Sequence, residues 1–141
     1  MSIPYHPERG SIVECDFTHG FVNPEMNKKR AVIVLTPKIK SRHNLCTVVA
    51  LSTTKPEKIM PYHCQIDITP PLPDRYKSIG VWVKGDMVNT VGFHRLDLIR
   101  VKKDINGKRI YYTNCFNEET MRKIYTCVLH GMGLSRIIKS L

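Results

Sequence analysis

Two residues of opposite charge stand two apart in "VWVKGDMVNTV" (residues 81 to 91), where Lys84 and Asp86 flank Gly85. Side chains two apart on a β-strand share a face, so a cation and a carboxylate are set side by side in an otherwise apolar run. As a surface ion pair they would contribute only about 0–1 kcal/mol. As a chemical pair they take opposite roles in phosphodiester cleavage. The carboxylate accepts the proton of a ribose 2′-hydroxyl, and the cation stabilises the phosphorane or assists the leaving 5′-oxygen. Such chemistry calls for no metal and no cofactor, but it requires RNA, because DNA lacks the internal nucleophile.

Two other places carry suitable groups. Arg30 stands where a basic loop turns into "AVIVL", a position from which a guanidinium can grip a phosphate bidentately, or serve as an ordinary loop arginine. Ser52, Thr53 and Thr54 close an apolar run just before Lys55; hydroxyls there either donate to a phosphate oxygen or satisfy the backbone of a turn. No Walker A loop, dinucleotide fingerprint, HExxH or GxSxG is present, which removes the usual routes to nucleotide binding, zinc proteolysis and serine hydrolysis. The 6 histidines show no metal-ligand spacing, and the 5 cysteines contain no CxxC pair, so reduced, mostly buried thiols are expected.

The charge balance points towards a polyanion. The chain has 22 Lys and Arg against 12 Asp and Glu, a formal net charge of +10. The excess is concentrated: between residues 28 and 58 stand Lys28, Lys29, Arg30, Lys38, Lys40, Arg42, Lys55 and Lys58, opposed only by Glu57. A cluster of this kind reads as an electrostatic footprint for nucleic acid, the alternative being a solvated face.

Short β-like runs must position these groups. "SIVECDF" alternates and leads into the long, exposed loop "THGFVNPEMNKKR"; "AVIVLTP" and "CTVVALST" are β-branched runs suited to strands buried on both faces. In "HCQIDI", Cys64, Ile66 and Ile68 face one way, and the proline-rich "TPPLPDRYKS" must be a loop. Asn106-Gly107 predicts a two-stranded ribbon between "LDLIRVKK" and "KRIYYTN". One helix is expected, with Asn117 as N-cap, Glu118 and Glu119 in its first turn, a stripe of Met121, Ile124, Tyr125, Val128, Leu129 and Met132, and Gly131 and Gly133 as its stop. "LSRIIKSL" is a second short helix or a packing tail. At 141 residues without an apolar run long enough to span a bilayer, the chain is expected to be one domain, residues 1–141, soluble and cytoplasmic. The order of elements argues for a mainly β fold, a small, partly open antiparallel barrel with a C-terminal helix against it.

The landmarks "ERGSIVECDF", "KKRAVIVL", "TVVALSTT" and "VKGDMVNTVGFHRLD", followed by the C-terminal helix, resemble in order and spacing the MazF/PemK family of toxin endoribonucleases, which includes Kid and shares its SH3-like barrel with CcdB. The resemblance implies metal-independent, sequence-selective cleavage of single-stranded RNA, a homodimer, and inhibition by a cognate antitoxin. It implies catalytic roles for Arg30 and Thr53 as in MazF-like members, and for Lys84 and Asp86 as in Kid-type members. Lys28, Lys29, Ser52, Thr54 and Lys55 are expected to contact RNA, with His19 in a supporting role. Ala31 replaces the family's usual proline, and Lys84 stands where Kid-type members carry arginine. The alternative is a non-catalytic barrel that binds nucleic acid or protein, including a CcdB-like gyrase inhibitor; a carboxylate such as Asp86 in a phosphate groove would work against pure binding.

Overall fold

The computed structural model describes residues 2–76 and 80–140; Lys77 and Ser78 of the proline-rich loop, with Ile79, lie outside the described residues. The elements are β1 (Ile12–Asp16), β2 (Lys29–Val34), β3 (Leu45–Ser52), β4 (His63–Ile66), β5 (Val81–Gly92), β6 (Leu96–Asp97), β7 (Arg100–Lys103), β8 (Arg109–Tyr111), α1 (Glu118–Gly131) and α2 (Ser135–Ile138). Six strands form one antiparallel sheet in the order β4-β5-β3-β2-β1-β6, and β7 and β8 form a separate ribbon. The mainly β fold with a C-terminal helix is therefore present, and among the described residues the strand pairings leave the sheet open rather than closing it into a barrel.

The apolar runs of β2 and β3 fill two cores because their alternate residues go to opposite faces. Ile33, Val49 and Leu51 pack on one face with Met121, Ile124 and Val128 of α1. Val32, Val34, Val48 and Ala50 pack on the other with Ile3, Phe17, Met26 and Leu96. Each such side chain taken out of water stabilises the fold by about 1.5–3 kcal/mol. The loop after β1 is not simply exposed: Met26 is buried, and Arg95 holds the loop by donating to the carbonyls of Asp16 (3.1 Å) and His19 (2.7 Å) while lying over the Phe21 ring.

Helix α1 begins as expected, with the Asn117 side chain accepting from the Thr120 N–H at 2.8 Å. Its end differs from expectation. Gly131 is the last helical residue rather than a stop, and the chain turns at Gly133, whose φ of +77° suits glycine. Gly131 serves a tertiary contact instead: a Cβ there would lie 2.5 Å from the Gly85 carbonyl oxygen, and a Cβ at Gly85 would lie 2.5 Å from the Cys127 carbonyl carbon. Helix and strand thus meet backbone to backbone. At the same place the pairing of β5 with β3 jumps from Ala50↔Lys84 to Val49↔Val88, leaving residues 85 to 87 as a bulge. Met132, at 65% exposed, falls outside the apolar stripe, and Cys127 takes part in the buried face. The ribbon forms where Asn106-Gly107 predicts it, and "LSRIIKSL" supplies the short α2. Among the described residues, no helix is long and apolar enough to cross a membrane.

Candidate active site

The strand register fixes where each candidate side chain starts. Strand β2 begins two residues before its apolar run, so Lys29 pairs with Asp16 and Arg30 with Cys15. The pairing of Val32 with Ala50, extended by two residues, sets Arg30 opposite Ser52. The ends of β1, β2 and β3 therefore come together. There they border a cavity of about 290 Å³ lined by Glu14, Lys29, Arg30, Ser52, Thr53 and Tyr76, among others.

Within this cavity Ser52 is occupied: its hydroxyl accepts from the Thr54 N–H at 3.1 Å, the turn-satisfying role. Thr53 is exposed. Arg30 is half-buried, and its Nε is buried without a hydrogen-bond partner. A buried donor of this kind calls for an acceptor. Glu14 lies on the face of Ile12, where alternation would continue with an apolar residue, and it accepts a hydrogen bond from the Tyr76 hydroxyl. Burial, followed by that bond to Glu14, pushes the Tyr76 phenol up to about 12, so it remains a neutral donor at physiological pH. The Arg75 guanidinium also lines the cavity and lies 4.7 Å above the centre of the Tyr76 ring.

Other candidates stand elsewhere. Lys84 and Asp86 do not line the cavity. Lys84 pairs with Ala50 on one side and His63 on the other, on the sheet face that alternation also gives to Arg30; Asp86 is exposed in the bulge. Among the described residues, no hydrogen bond or ion pair joins Lys84 to Asp86. Lys28, Thr54, Lys55 and His19 are exposed and also outside the cavity. Glu14, Arg75 and Tyr76 went unread in the sequence. For Glu14 a signal existed, a carboxylate on the core face of an alternating strand; Arg75 and Tyr76 sit in a proline-rich loop whose path only the fold determines. Among the described residues, no three His, Cys, Asp or Glu side chains gather as metal ligands.

The chain is similar to other proteins along nearly its whole length. The uncharacterized protein YifN of Escherichia coli (strain K12) is 27% identical over 156 aligned positions, covering 98% of this chain and 99% of YifN. A mycobacterial endoribonuclease solved in complex with its cognate antitoxin superposes with a TM-score of 0.59 at 22% identity, covering 91% of this chain and 96% of that one. MazF from Deinococcus radiodurans superposes with a TM-score of 0.58 at 16% identity, covering 92% and 98%. At those identities the two structures speak for the fold. The model of the PemK-like, MazF-like toxin of type II toxin-antitoxin systems matches residues 8–129, most of the chain, and the chain belongs to that toxin family.

Proposed function

We propose that this toxin is an endoribonuclease that cleaves single-stranded RNA by attack of a 2′-hydroxyl on the adjacent phosphorus. The observation that carries the proposal is the cavity that brings together Arg30, Lys29, Thr53 and Glu14, with the Arg30 Nε unpartnered among the described residues. A phosphodiester in this cavity accepts from the Arg30 guanidinium, and the Thr53 hydroxyl donates to a second phosphate oxygen. As the 2′-oxygen bonds to phosphorus, its proton passes to the Glu14 carboxylate, which accepts from the Tyr76 hydroxyl and borders the same cavity as Arg30 although alternation starts the two from opposite sheet faces. Arg30 stabilises the phosphorane charge, and the 5′-oxygen departs with a proton donated by the Lys29 ammonium, leaving a 2′,3′-cyclic phosphate and a 5′-hydroxyl, after which the proton on Glu14 restores Lys29. Every group needed comes from side chains and the RNA itself, so cleavage is expected to persist in EDTA. Selection among sequences would come from bases read beside the cavity. A cognate antitoxin that occupies the same groove, and a homodimer, belong to this reading; both rest on family membership.

A second reading is favoured by the register. Arg30 and Lys84 share a sheet face, roughly 12 Å apart by strand spacing and rise, and among the described residues no hydrogen bond or ion pair joins Lys84 to Asp86. In that arrangement Asp86 is the base and Lys84 the phosphorane cation. The experiment that decides is single-turnover cleavage of a mixed-sequence RNA in EDTA, with mapping of 5′-hydroxyl ends. Arg30→Ala is expected to slow cleavage about 10²–10³-fold, as loss of a transition-state donor does. A larger loss in Glu14→Gln than in Asp86→Asn supports Glu14 as base; the reverse order transfers that role to Asp86. No cleavage by the wild type, or equal rates for wild type and Arg30→Ala, overturns the nuclease reading.

A further inference from the structure

A second cavity, of about 540 Å³, shares Glu14, Arg75 and Tyr76 with the first. The two cavities therefore adjoin along the Tyr76–Glu14 hydrogen bond and the overlying Arg75, which both of them border. Beyond that shared border the second cavity is lined by Tyr5, Tyr111, Arg100 and Arg109. Tyr5 is 52% exposed, and all of β7 is exposed. Two tyrosine rings and two guanidinium groups thus line the cavity, with Arg100 directly across the ribbon from Tyr111.

The ribbon that supplies part of this lining has no evident part in either core. It carries Arg100, Lys102, Lys103, Lys108 and Arg109, while the Asp104 carboxylate is engaged at the turn by the N–H groups of Asn106 and Lys108, each at 2.8 Å. Its base is nonetheless fixed. Arg75 donates to the Arg100 carbonyl at 3.2 Å, the Tyr112 N–H donates to the Ile99 carbonyl at 2.8 Å, and the Tyr112 hydroxyl donates to the Pro70 carbonyl at 2.6 Å. The anions present are Glu14, bonded to Tyr76, and Asp97, whose Oδ1 accepts from the Leu98 N–H at 2.8 Å.

From this arrangement we infer that the second cavity and its ribbon form a binding site for single-stranded RNA flanking the scissile phosphate, with Tyr5 and Tyr111 as stacking platforms and Arg100 and Arg109 as phosphate contacts. An acidic peptide would be served by the cations alone. The two tyrosine rings favour a ligand with π-faces, since stacking on aromatic side chains together with backbone charge is how unpaired strands are held. The site rests on the nuclease reading only for its orientation, the flanking strand continuing from the cleaved phosphate.

The test is binding of fluorescent 2′-O-methyl RNA, whose blocked nucleophile prevents turnover, with oligonucleotides of about 4 and about 12 nucleotides. Wild type is expected to bind the longer strand far more tightly. In Arg100→Ala/Arg109→Ala that advantage shrinks about tenfold or more, and the slope of log affinity against log salt flattens by about 1.4, two single-strand phosphate contacts. Tyr5→Ala, at an exposed position that leaves the fold alone, weakens the longer strand about fivefold or more. Unchanged affinities in both variants overturn the site while leaving the nuclease intact. Polyglutamate that competes with the longer strand at equal affinity, and that loses binding in the arginine variant, overturns it in favour of an acidic peptide. Wild type that binds and discriminates lengths but never cleaves RNA removes the nuclease reading and supports the site.

Discussion

At the scale of single residues, the Tyr76–Glu14 bond is the contact that most distinguishes this site from a patch of cations. A carboxylate beside a phosphate is repelled unless something holds it. Tyr76 donates to it, and Lys29 and Arg30 border the same cavity. Burial, then the Glu14 bond, raises the phenol from its ordinary 10.0 to about 12, so the stability linked to this group is fully present below pH about 10 and is lost as pH rises through about 12. Wild type should therefore lose stability relative to Tyr76→Phe over that interval, read as a fall in its urea midpoint against that of the variant. A constant gap up to pH 12 would mean that the hydroxyl contributes nothing through its proton. Arg30 and Thr53 were legible as candidates because a strand end places its polar residues at a rim. Their companion Glu14 was harder to see, because Glu14 and Asp16 in "SIVECDF" read as ordinary alternation until the opposite strand shows which face is which.

Among the elements, those whose cause is local were readable in advance. Asn117 caps α1 and Asn106-Gly107 turns the ribbon through side chains and backbone angles within a few residues. The bulge at residues 85 to 87 has no such local cause. It arises because α1 approaches β5 so closely that neither Gly85 nor Gly131 has room for a Cβ, and in the sequence Gly131 looks like a helix stop for the same reason. The contact predicts an inverted substitution effect. In an unconstrained helix Gly→Ala stabilises by about 0.8–1 kcal/mol, whereas Gly131→Ala here should destabilise by about 1–3 kcal/mol, the range for overpacking, read as a lower urea midpoint at unchanged m-value. Gly85→Ala should act in the same direction and also displace the neighbouring Lys84 and Asp86. A stabilised Gly131→Ala would show that helix and strand can separate without cost, and that the bulge has another origin.

Over the whole molecule, the distribution of charge and of thiols follows from which surfaces the fold closes. Burial pushes Cys15 up to about 12 and Cys46 up to about 11. Cys127 is also raised, first by its hydrogen bond with Cys64 and then by burial, while the same bond lowers Cys64. Ellman's reagent at pH about 8 should accordingly reach the exposed Cys115 and the half-buried Cys64 in the folded protein, and the other three only after unfolding. The net charge of +10 was the strongest whole-chain signal in the sequence, yet net charge governs long-range steering rather than the number of phosphates held. The cations that line the two adjoining cavities are Lys29, Arg30, Arg75, Arg100 and Arg109. If these five each neutralise one phosphate of an unpaired strand, log affinity should fall against log salt with a slope of about −3.5. Fluorescence anisotropy with 2′-O-methyl RNA across a salt series measures it directly. A slope flatter than about −1 would mean that the basic residues set the approach of RNA but do not hold its backbone, and the groove would then have to bind mainly through its tyrosine rings.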